Sequence, residues 1–254
     1  MKPVFVVQNE SDCPAAYLGD ALDRRGLEWR IVRLHEGDAL PDPADAAGVA
    51  AMGGAMGSYD EEAHPFLIAE KRFLAECTAA GVPVLGICLG CQLLADALGG
   101  RAYLADSAEV TFAPIAPTIA GERDPIVAAF EQRPVIRFHR DTFDIPPGAT
   151  LLASAGGFAQ AFRCGSAIGI QPHPEVTAAI LADWLADGEA RQMAIDARTD
   201  PDDLVEAFSA AVIEVEATAA AIFDAWIGEV IAPRTANDSR TTQLKPGEQG
   251  RSYR

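Results

Sequence analysis

Short apolar runs alternate with helical patterns along the first hundred residues. The apolar runs have the length of buried strands and end at Gly or polar residues. The segments between them place apolar side chains at the spacing of an amphipathic helix. The predicted strands span residues 4–7, 29–34, 48–52 and 82–87, and the predicted helices span residues 15–25, 65–80 and 92–98. Strands that alternate with helices through short loops indicate a parallel sheet covered by helices on both faces.

The chain changes character between about residue 101 and residue 170. Short apolar runs there are punctuated by Pro and Gly, which is typical of antiparallel strands. These runs lie at residues 135–138, 150–153, 158–162 and 167–170. We expect them to extend the same sheet and to make it mixed. The predicted fold class is therefore α/β, a three-layer sandwich with a mostly parallel, mixed central sheet.

Helical patterns return in the last third of the chain, at about residues 176–187 and 202–229. Their apolar spacing is that of helices that cover a core or pair with a second copy of the chain, so a homodimer stays open. Residues 233–254 are polar and lack periodicity, which predicts a disordered tail. We therefore expect one domain over residues 1–232, with the C-terminal helices included.

Composition narrows the classes of function. The net charge of −17 argues against a nucleic-acid interface, which needs a basic face, and against docking on anionic lipid. No apolar stretch approaches the roughly 20 residues of a membrane span, and the first apolar run is too short for a signal peptide. The five cysteines are odd in number and scattered, which is atypical of a disulfide framework. A cytoplasmic location follows as an expectation.

The sequence Gly-Ile-Cys-Leu-Gly at residues 86–90 has the pattern of a nucleophile elbow. An apolar strand ends, Cys88 stands between Gly86 and Gly90, and a helix begins at once. Such a turn presents the side chain at the carboxyl end of the strand, and a helix N-terminus stabilises a thiolate. A buried structural cysteine beside a Gly-containing turn is the alternative.

A thiolate nucleophile needs a base and a group that orients the base. His173 follows the last predicted strand, is flanked by two prolines, and precedes Glu175 by two residues. In extended backbone, residues i and i+2 project to the same side, so the carboxylate of Glu175 can fix the imidazole tautomer. A loop histidine with a satisfied ring is the alternative, and the His-x-Glu pair beside a nucleophile elbow argues against it.

An oxyanion hole needs two backbone donors. The residue after the nucleophile, Leu89, is the first candidate. The glycine-rich segment 52–57 follows another predicted strand at the same edge of the sheet, and Gly54 is the second candidate. A flexible loop or a phosphate-binding turn is the alternative for this segment, although its glycines lack the spacing of a nucleotide fingerprint.

Residues 86–95 and 171–175 closely resemble the class I (triad) glutamine amidotransferases. They read Gly-Ile-Cys-Leu-Gly-Cys-Gln-Leu-Leu-Ala and Gln-Pro-His-Pro-Glu. The Met-Gly-Gly at 52–54 with the Tyr-Asp at 59–60, and the His-Arg-Asp-Thr-Phe at 139–143, resemble free-standing members similar to the glutaminase domain of guanosine monophosphate synthetase. The resemblance covers about residues 4–185.

The resemblance implies a flavodoxin-like fold and a glutamine-hydrolysing site that uses no cofactor and no metal. Cys88 would attack the side-chain amide of glutamine and His173 would protonate the leaving ammonia. Glu175 would orient His173, and water would hydrolyse the glutamyl thioester.

The resemblance also implies which residues bind glutamine. Gln92 and the loop that carries Gly53 would hold it, and His139 would lie near the pocket. Ammonia could pass to a synthase in trans, because a phosphate-binding loop of a fused synthetase is not seen in the chain.

The chain departs from the family pattern at two positions. Cys91 stands where the family often has His, which makes a Cys-x-x-Cys with Cys88. If Cys88 and Cys91 were a redox pair, the His-x-Glu motif would have no function in the reaction. A zinc site would need further ligands beside the two cysteines. Arg140 stands where Gly more usually follows the His, and it either reaches a substrate carboxylate or is a solvated charge. A γ-glutamyl peptidase or hydrolase, and a non-catalytic binding or regulatory domain, stay open beside a glutaminase.

Overall fold

The computed structural model describes residues 2–186 and 188–232. Ten strands lie in this part of the chain. They are β1 (Val4–Gln8), β2 (Trp29–Arg33), β3 (Gly48–Ala51), β4 (Val84–Ile87), β5 (Arg101–Ala113), β6 (Ala116–Pro117), β7 (Val135–Asp144), β8 (Thr150–Ala155), β9 (Phe158–Cys164) and β10 (Ala167–Ile170). The predicted disordered tail, residues 233–254, lies outside the described residues.

The main sheet has eight strands in the order β2-β1-β3-β4-β10-β9-β8-β6. The first five are parallel to one another, and β9, β8 and β6 add antiparallel pairs at one side. The prediction of a mostly parallel, mixed sheet is confirmed. Because β3, β4 and β10 are parallel neighbours, the loops that follow them meet at one edge of the sheet.

Helices cover both faces of this sheet. They are α1 (Tyr17–Arg24), α2 (Phe66–Ala79), α3 (Leu89–Ala97), α4 (Pro125–Ala128), α5 (Ala178–Leu185), α6 (Gly188–Asp196), α7 (Pro201–Ala210) and α8 (Val212–Ile231). One hydrophobic core joins the sheet to α1, α4 and α8, and a second joins it to α2 and α3. The molecule is the predicted three-layer sandwich.

Of the four apolar runs expected to extend the main sheet, those at 150–153, 158–162 and 167–170 do so, and the run at 135–138 does not. The strands β5 and β7 form a separate two-stranded antiparallel ribbon with a register shift between Leu104 and Glu109. A third core packs α5 and α7 against this ribbon. The ribbon therefore bends away from the main sheet and carries its own layer of helices over the sheet edge.

The C-terminal helices also differ from the prediction of two segments. The pattern at 202–229 divides at Ala211 into α7 and α8. Phe208 of α7 packs in the third core and Phe223 of α8 packs in the first. The sequence did not reveal α6, because only Ala194 of this helix is buried and no apolar stripe marks it. No helix in the described ranges is long and apolar enough to cross a membrane.

The first turn of α3 lies unusually close to β3 and β4. A Cβ atom at Gly90 would lie 2.1 Å from the Ala51 carbonyl oxygen, and one at Gly86 would lie 2.5 Å from the Gly90 carbonyl oxygen. The Gly90 amide donates to the Met52 carbonyl at 3.1 Å. The surrounding backbone leaves no room for a side chain at Gly86 or Gly90, so both positions require glycine.

Two glycine-to-alanine substitutions in helices are expected to act in opposite directions. We expect Gly90→Ala to lower the free energy of unfolding by about 1–3 kcal/mol or more, since the new methyl overlaps fixed backbone. Gly228→Ala in α8 places its methyl in open, exposed space. It should raise the free energy of unfolding by about 0.5–1 kcal/mol, because Ala favours the helix. Urea denaturation measures both, and a Gly90→Ala protein as stable as wild type would contradict the close packing.

Candidate active site

Cys88 occupies a strained turn between β4 and α3. Its backbone has φ 50° and ψ −108°, a region that residues with a side chain rarely adopt. The turn is held because the Cys88 amide donates to the Ile170 carbonyl at 3.0 Å and α3 begins at the next residue. The side chain is 7% exposed at the N-terminus of that helix. The sulfur is therefore nearly dry and stands where a helix dipole favours negative charge.

His173 and Glu175 come to the same place from the loop after β10. His173 Nδ1 lies 2.7 Å from Glu175 Oε1, and both side chains are almost fully buried. The His173 amide donates to the Ile136 carbonyl at 2.8 Å, which fastens the loop to the ribbon. The imidazole also stacks edge-to-face on Trp184, with ring centroids 5.2 Å apart. Backbone, carboxylate and indole together restrict the ring to one orientation.

The electrostatics of His173 follow from its two partners. Burial alone would lower the pKa of the imidazole, but the charges of Cys88 and Glu175 and the hydrogen bonds to both raise that pKa well above its ordinary value. Because Nδ1 faces Glu175, Nε2 is the ring nitrogen left to interact with the Cys88 sulfur. The geometry thus places the imidazole of His173 between the Glu175 carboxyl group and the Cys88 sulfur.

The glycine turn after β3 lies against the same group. A Cβ atom at Gly53 would lie 3.3 Å from His173 Cε1 and 3.8 Å from Cys88 Cβ. A Cβ atom at Gly54 would lie 2.8 Å from Leu89 Cδ2, so the two predicted oxyanion donors belong to touching residues. Within residues 2–186 and 188–232, neither the Gly54 nor the Leu89 amide donates to a protein group. Their hydrogen-bonding capacity is therefore not used by other described protein groups.

A cavity of about 720 Å³ opens beside Cys88. Its walls come from the loop after β1, the glycine turn, the bulged part of β5, the segment 138–141, and α6. Of the predicted site residues, those that line it are Cys88, His173, Gly54, Gln92 and His139, while Gly53, Leu89 and Glu175 lie behind its wall. The helix α6, which the sequence did not predict, closes one side.

Gln92 and His139 make bonds that limit what each offers a ligand. Gln92 Nε2 donates to the Asp141 carbonyl and to Gln171 Oε1, both at 3.2 Å, so its Oε1 is the atom left for a ligand. His139 lines the cavity, but its Nδ1 lies 2.9 Å from the Asp141 carbonyl and its Nε2 lies 2.9 Å from Glu109 Oε2. Its ring therefore holds the backbone of Asp141 in place.

Asp141 is a cavity residue that the sequence pattern did not single out. Its side chain is only 5% exposed, and its Oδ1 has no hydrogen-bond partner among the described residues. Its Oδ2 accepts from the Tyr59 hydroxyl at 3.1 Å. Burial raises the pKa of this carboxyl. The sequence signal that points to it is its place two residues after His139, because residues i and i+2 of a strand share a face.

Known proteins share this arrangement of sequence and fold. The sequence profile of the family described as glutamine amidotransferase class-I matches residues 17–186. The chain belongs to the class I glutamine amidotransferase family. A glutamine amidotransferase-like protein of Salmonella typhimurium, YfeJ, is 33% identical over 70% of this chain and 77% of its own length. One subunit of the glutamine-hydrolysing GMP synthase of Haloarcula marismortui is 31% identical over 62% of this chain and 85% of its own.

Solved structures of glutamine amidotransferases have the same fold. One from Methylobacillus flagellatus superposes with a TM-score of 0.81 at 24% identity, over 93% of this chain and 98% of its own. One from Thermotoga maritima superposes with a TM-score of 0.79 at 25% identity, over 91% and 99%. The flavodoxin-like, glutamine amidotransferase-like architecture expected from the sequence is confirmed.

Two further thiols lie near Cys88. Cys91 packs in the second core, where a Cβ atom at Gly169 would lie 2.7 Å from its sulfur, and it does not line the cavity. Cys13 does line the cavity. Burial raises the pKa of both thiols, so both are neutral beside Cys88. The side chains of Glu10, Asp12 and Cys13 have ligand atoms that all lie within 4.8 Å of one another. Among the described residues, this is the one group with the spacing for a metal ion.

Removing the Cys88 sulfur is expected to lower the pKa of His173. The variant Cys88→Ala loses the negative charge and the hydrogen bond that raise this pKa, while the burial that lowers it stays. The imidazole should then release its proton at a lower pH than in wild type, as followed by ¹⁵N NMR of the histidine rings. Cys164→Ala, outside the cavity, is the matched control and should leave the titration where it is. Equal titration of His173 in wild type and Cys88→Ala would rule out the ion pair.

Proposed function

We propose that the protein hydrolyses the γ-carboxamide of glutamine with Cys88 as nucleophile, His173 as acid and base, and Glu175 as the group that orients His173. The observation that carries this proposal is the buried chain Cys88–His173–Glu175 at a strained strand-to-helix turn. Membership in a family of glutamine amidotransferases supports the choice of substrate.

The first half-reaction forms a thioester. The Cys88 thiolate attacks the amide carbon, and the carbonyl oxygen becomes an oxyanion that accepts from the Leu89 and Gly54 amides. His173 gives its Nε2 proton to the amide nitrogen as the C–N bond breaks, so ammonia leaves and the imidazole becomes neutral. The negative Glu175 beside Nδ1 stabilises the imidazolium before this transfer.

The second half-reaction regenerates the enzyme. Neutral His173 takes a proton from water through Nε2, and the hydroxide oxygen attacks the thioester carbon. The C–S bond then breaks, releasing glutamate and restoring the thiolate beside an imidazolium. The same two backbone amides stabilise the second oxyanion, because the carbonyl oxygen stays where it was.

Three side chains of the cavity are suited to the amino-acid end of glutamine. The unpartnered Oδ1 of buried Asp141 can accept from the α-ammonium group, which would also satisfy a buried acceptor. Gln92 Oε1 can accept a second hydrogen of the substrate. Arg140 is the one Lys or Arg side chain that lines the described cavity, and it is in a position to meet the α-carboxylate at the rim.

The ammonia produced would pass to a synthase in trans. This is supported by the likeness to the Haloarcula marismortui protein, which is named as one subunit of a GMP synthase. Coupling to such a synthase would be seen as a rise in the rate of glutamine hydrolysis when the synthase is added.

Hydrolysis of a γ-glutamyl conjugate is the second candidate. The cavity of about 720 Å³ is of the size that takes drug-sized ligands, well beyond one free amino acid. The chemistry at Cys88 would be the same, with an amine in place of ammonia as leaving group. Rates on glutamine and on γ-glutamyl amides of increasing size separate the two candidates.

Removing the proposed nucleophile, Cys88, should lower the activity more than removing the charge of Glu175, which orients His173. We expect Cys88→Ala to reduce ammonia release from glutamine by at least about 10⁴-fold, because no thioester forms. Glu175→Gln should reduce kcat by about 10²–10⁴-fold, because the imidazolium loses its counter-charge. Trapping a glutamyl enzyme by mass spectrometry should succeed in wild type only. Full activity of Cys88→Ala would end the proposal, and a Cys88 inert to glutamine-mimicking electrophiles in a folded protein would favour a non-catalytic domain.

Asp141→Asn is expected to weaken glutamine binding. Loss of the charge that faces the α-ammonium should raise KM by about tenfold or more, the effect of removing a charge-assisted hydrogen bond. Steady-state kinetics on glutamine measure this. Asp144→Asn, on the same strand but exposed and paired with Arg101, is the matched control. An unchanged KM in Asp141→Asn would place the ammonium group elsewhere.

A further inference from the structure

A carboxyl group and an amide lie buried together beneath the glycine turn. Glu70 of α2 and Asn9, directly after β1, are both 0% exposed. Asn9 Nδ2 donates to Glu70 Oε1 at 3.3 Å. Neither residue lines the cavity, and the reaction proposed above uses neither.

The pair leaves two oxygen atoms unsatisfied. Among the described residues, Asn9 Oδ1 and Glu70 Oε2 are buried and have no hydrogen-bond partner. With an ionised carboxylate both atoms are acceptors, so neither can help the other. A proton on Glu70 Oε2 would turn that atom into a donor, and Asn9 Oδ1 is the unpartnered acceptor on the side chain already bonded to Glu70. One proton therefore completes a two-bond pair between a carboxylic acid and an amide and satisfies both atoms.

The surroundings favour this protonated form. Burial raises the pKa of the Glu70 carboxyl to about 8, and the Asn9 hydrogen bond opposes this only in part. The elements packed against α2 are α3, β4 and the 3-10 turn at Pro43–Asp45. The titratable groups on them and on α2 are Lys71, Arg72, Glu76, Cys77, Cys91, Asp96 and Asp45. None of these charges contributes to the shift, and Lys71 and Arg72 pair with other carboxylates.

Asn9 connects this pair to the predicted oxyanion turn. Its Nδ2 also lies 3.3 Å from the Met52 carbonyl, the same oxygen that accepts from the Gly90 amide. Its Cβ lies 3.5 Å from where a Cβ atom at Gly54 would be. The side chain of Asn9 thus braces the junction between the glycine turn and the first turn of α3 from behind.

We propose that Glu70 is a positioning residue that acts as a neutral carboxylic acid, and that its proton holds Asn9 against the Met52 carbonyl so that the Gly54 amide faces the reacting carbonyl. This inference rests on the proposed glutamine hydrolysis. When the proton leaves, the carboxylate repels Asn9 Oδ1 and the side chain turns. The Gly54 amide then loses its alignment, and kcat falls while KM changes little.

The contribution of Glu70 to the stability of the fold decreases as the pH rises. A carboxyl whose folded pKa lies near 8, above the 4.5 of a free glutamic acid, favours the folded state only while protonated. Its contribution is complete below pH 4.5 and is lost as the pH rises to 8. Activity that depends on the proton should be lost above pH 8.

The first experiment compares pH profiles of kcat for wild type and Glu70→Gln. A glutamine at this position can make both bonds to Asn9 without a titrating proton. We expect wild-type kcat to fall by about tenfold per pH unit above pH 8, toward a floor about 10²-fold lower, the cost of one lost oxyanion donor. The kcat of Glu70→Gln divided by the kcat of wild type should therefore rise above pH 8. Any effect of His173 ionisation on kcat is common to both proteins and cancels in this ratio.

Two comparisons make this result specific. Glu76→Gln, exposed on the same helix and paired with Arg72, should follow the wild-type profile. Alkylation of Cys88 by iodoacetamide forms no oxyanion, so its rate should be equal in wild type and Glu70→Gln at each pH. A constant kcat ratio from pH 6 to 10 would overturn the positioning role.

The second experiment does not depend on activity. Protein labelled with ¹³C at the glutamate δ-carbon is titrated by NMR, and the Glu70 signal is assigned as the one missing in Glu70→Gln. A titration midpoint near 8 is expected, and a midpoint in the ordinary range of glutamate would overturn the acid–amide pair. If ammonia release proves equal in wild type and Cys88→Ala, the proposed glutaminase fails, while this titration still decides the state of Glu70.

Discussion

One backbone contact governs the whole site: the first turn of α3 presses against the end of β3. The Gly90 amide donates to the Met52 carbonyl, and glycine is the only residue that fits where it lies. This contact sets the distance between Cys88, which immediately precedes α3, and Gly54, which follows β3. Without it, these two residues, which are 34 positions apart along the chain, would have no fixed separation.

Burial then decides how the charges behave. Cys88, His173 and Glu175 lie in a nearly dry site, where opposite charges at hydrogen-bond distance interact far more strongly than in water. The same dryness gives the opposite result at Glu70 and Cys91, which have no charged partner: their pKa values rise and they stay neutral. Burial thus has opposite effects on ionisable groups with and without a nearby partner of opposite charge.

The ribbon β5–β7 and the helices α5 and α6 change a sheet edge into an enclosed cavity. The His173 loop is fastened to the ribbon through Ile136, Trp184 of α5 packs on the imidazole, and α6 forms a wall. These elements share a core with α7, separate from the two cores of the sandwich. In this chain, the ribbon and its helices therefore shape the cavity together with the loops of the sheet edge.

The sequence by itself determined the parallel sheet, the turn at Cys88 and the pairing of His173 with Glu175. These depend on short-range rules: apolar runs, glycines that flank a nucleophile, and two side chains on one face of an extended segment. Only the tertiary structure decided the roles open to Asp141, Cys13 and the Asn9–Glu70 pair. Each of these is defined by burial and by partners far away in the chain, as when Asn9 meets Glu70. Local pattern carries no record of such contacts, because they exist only after the layers have packed.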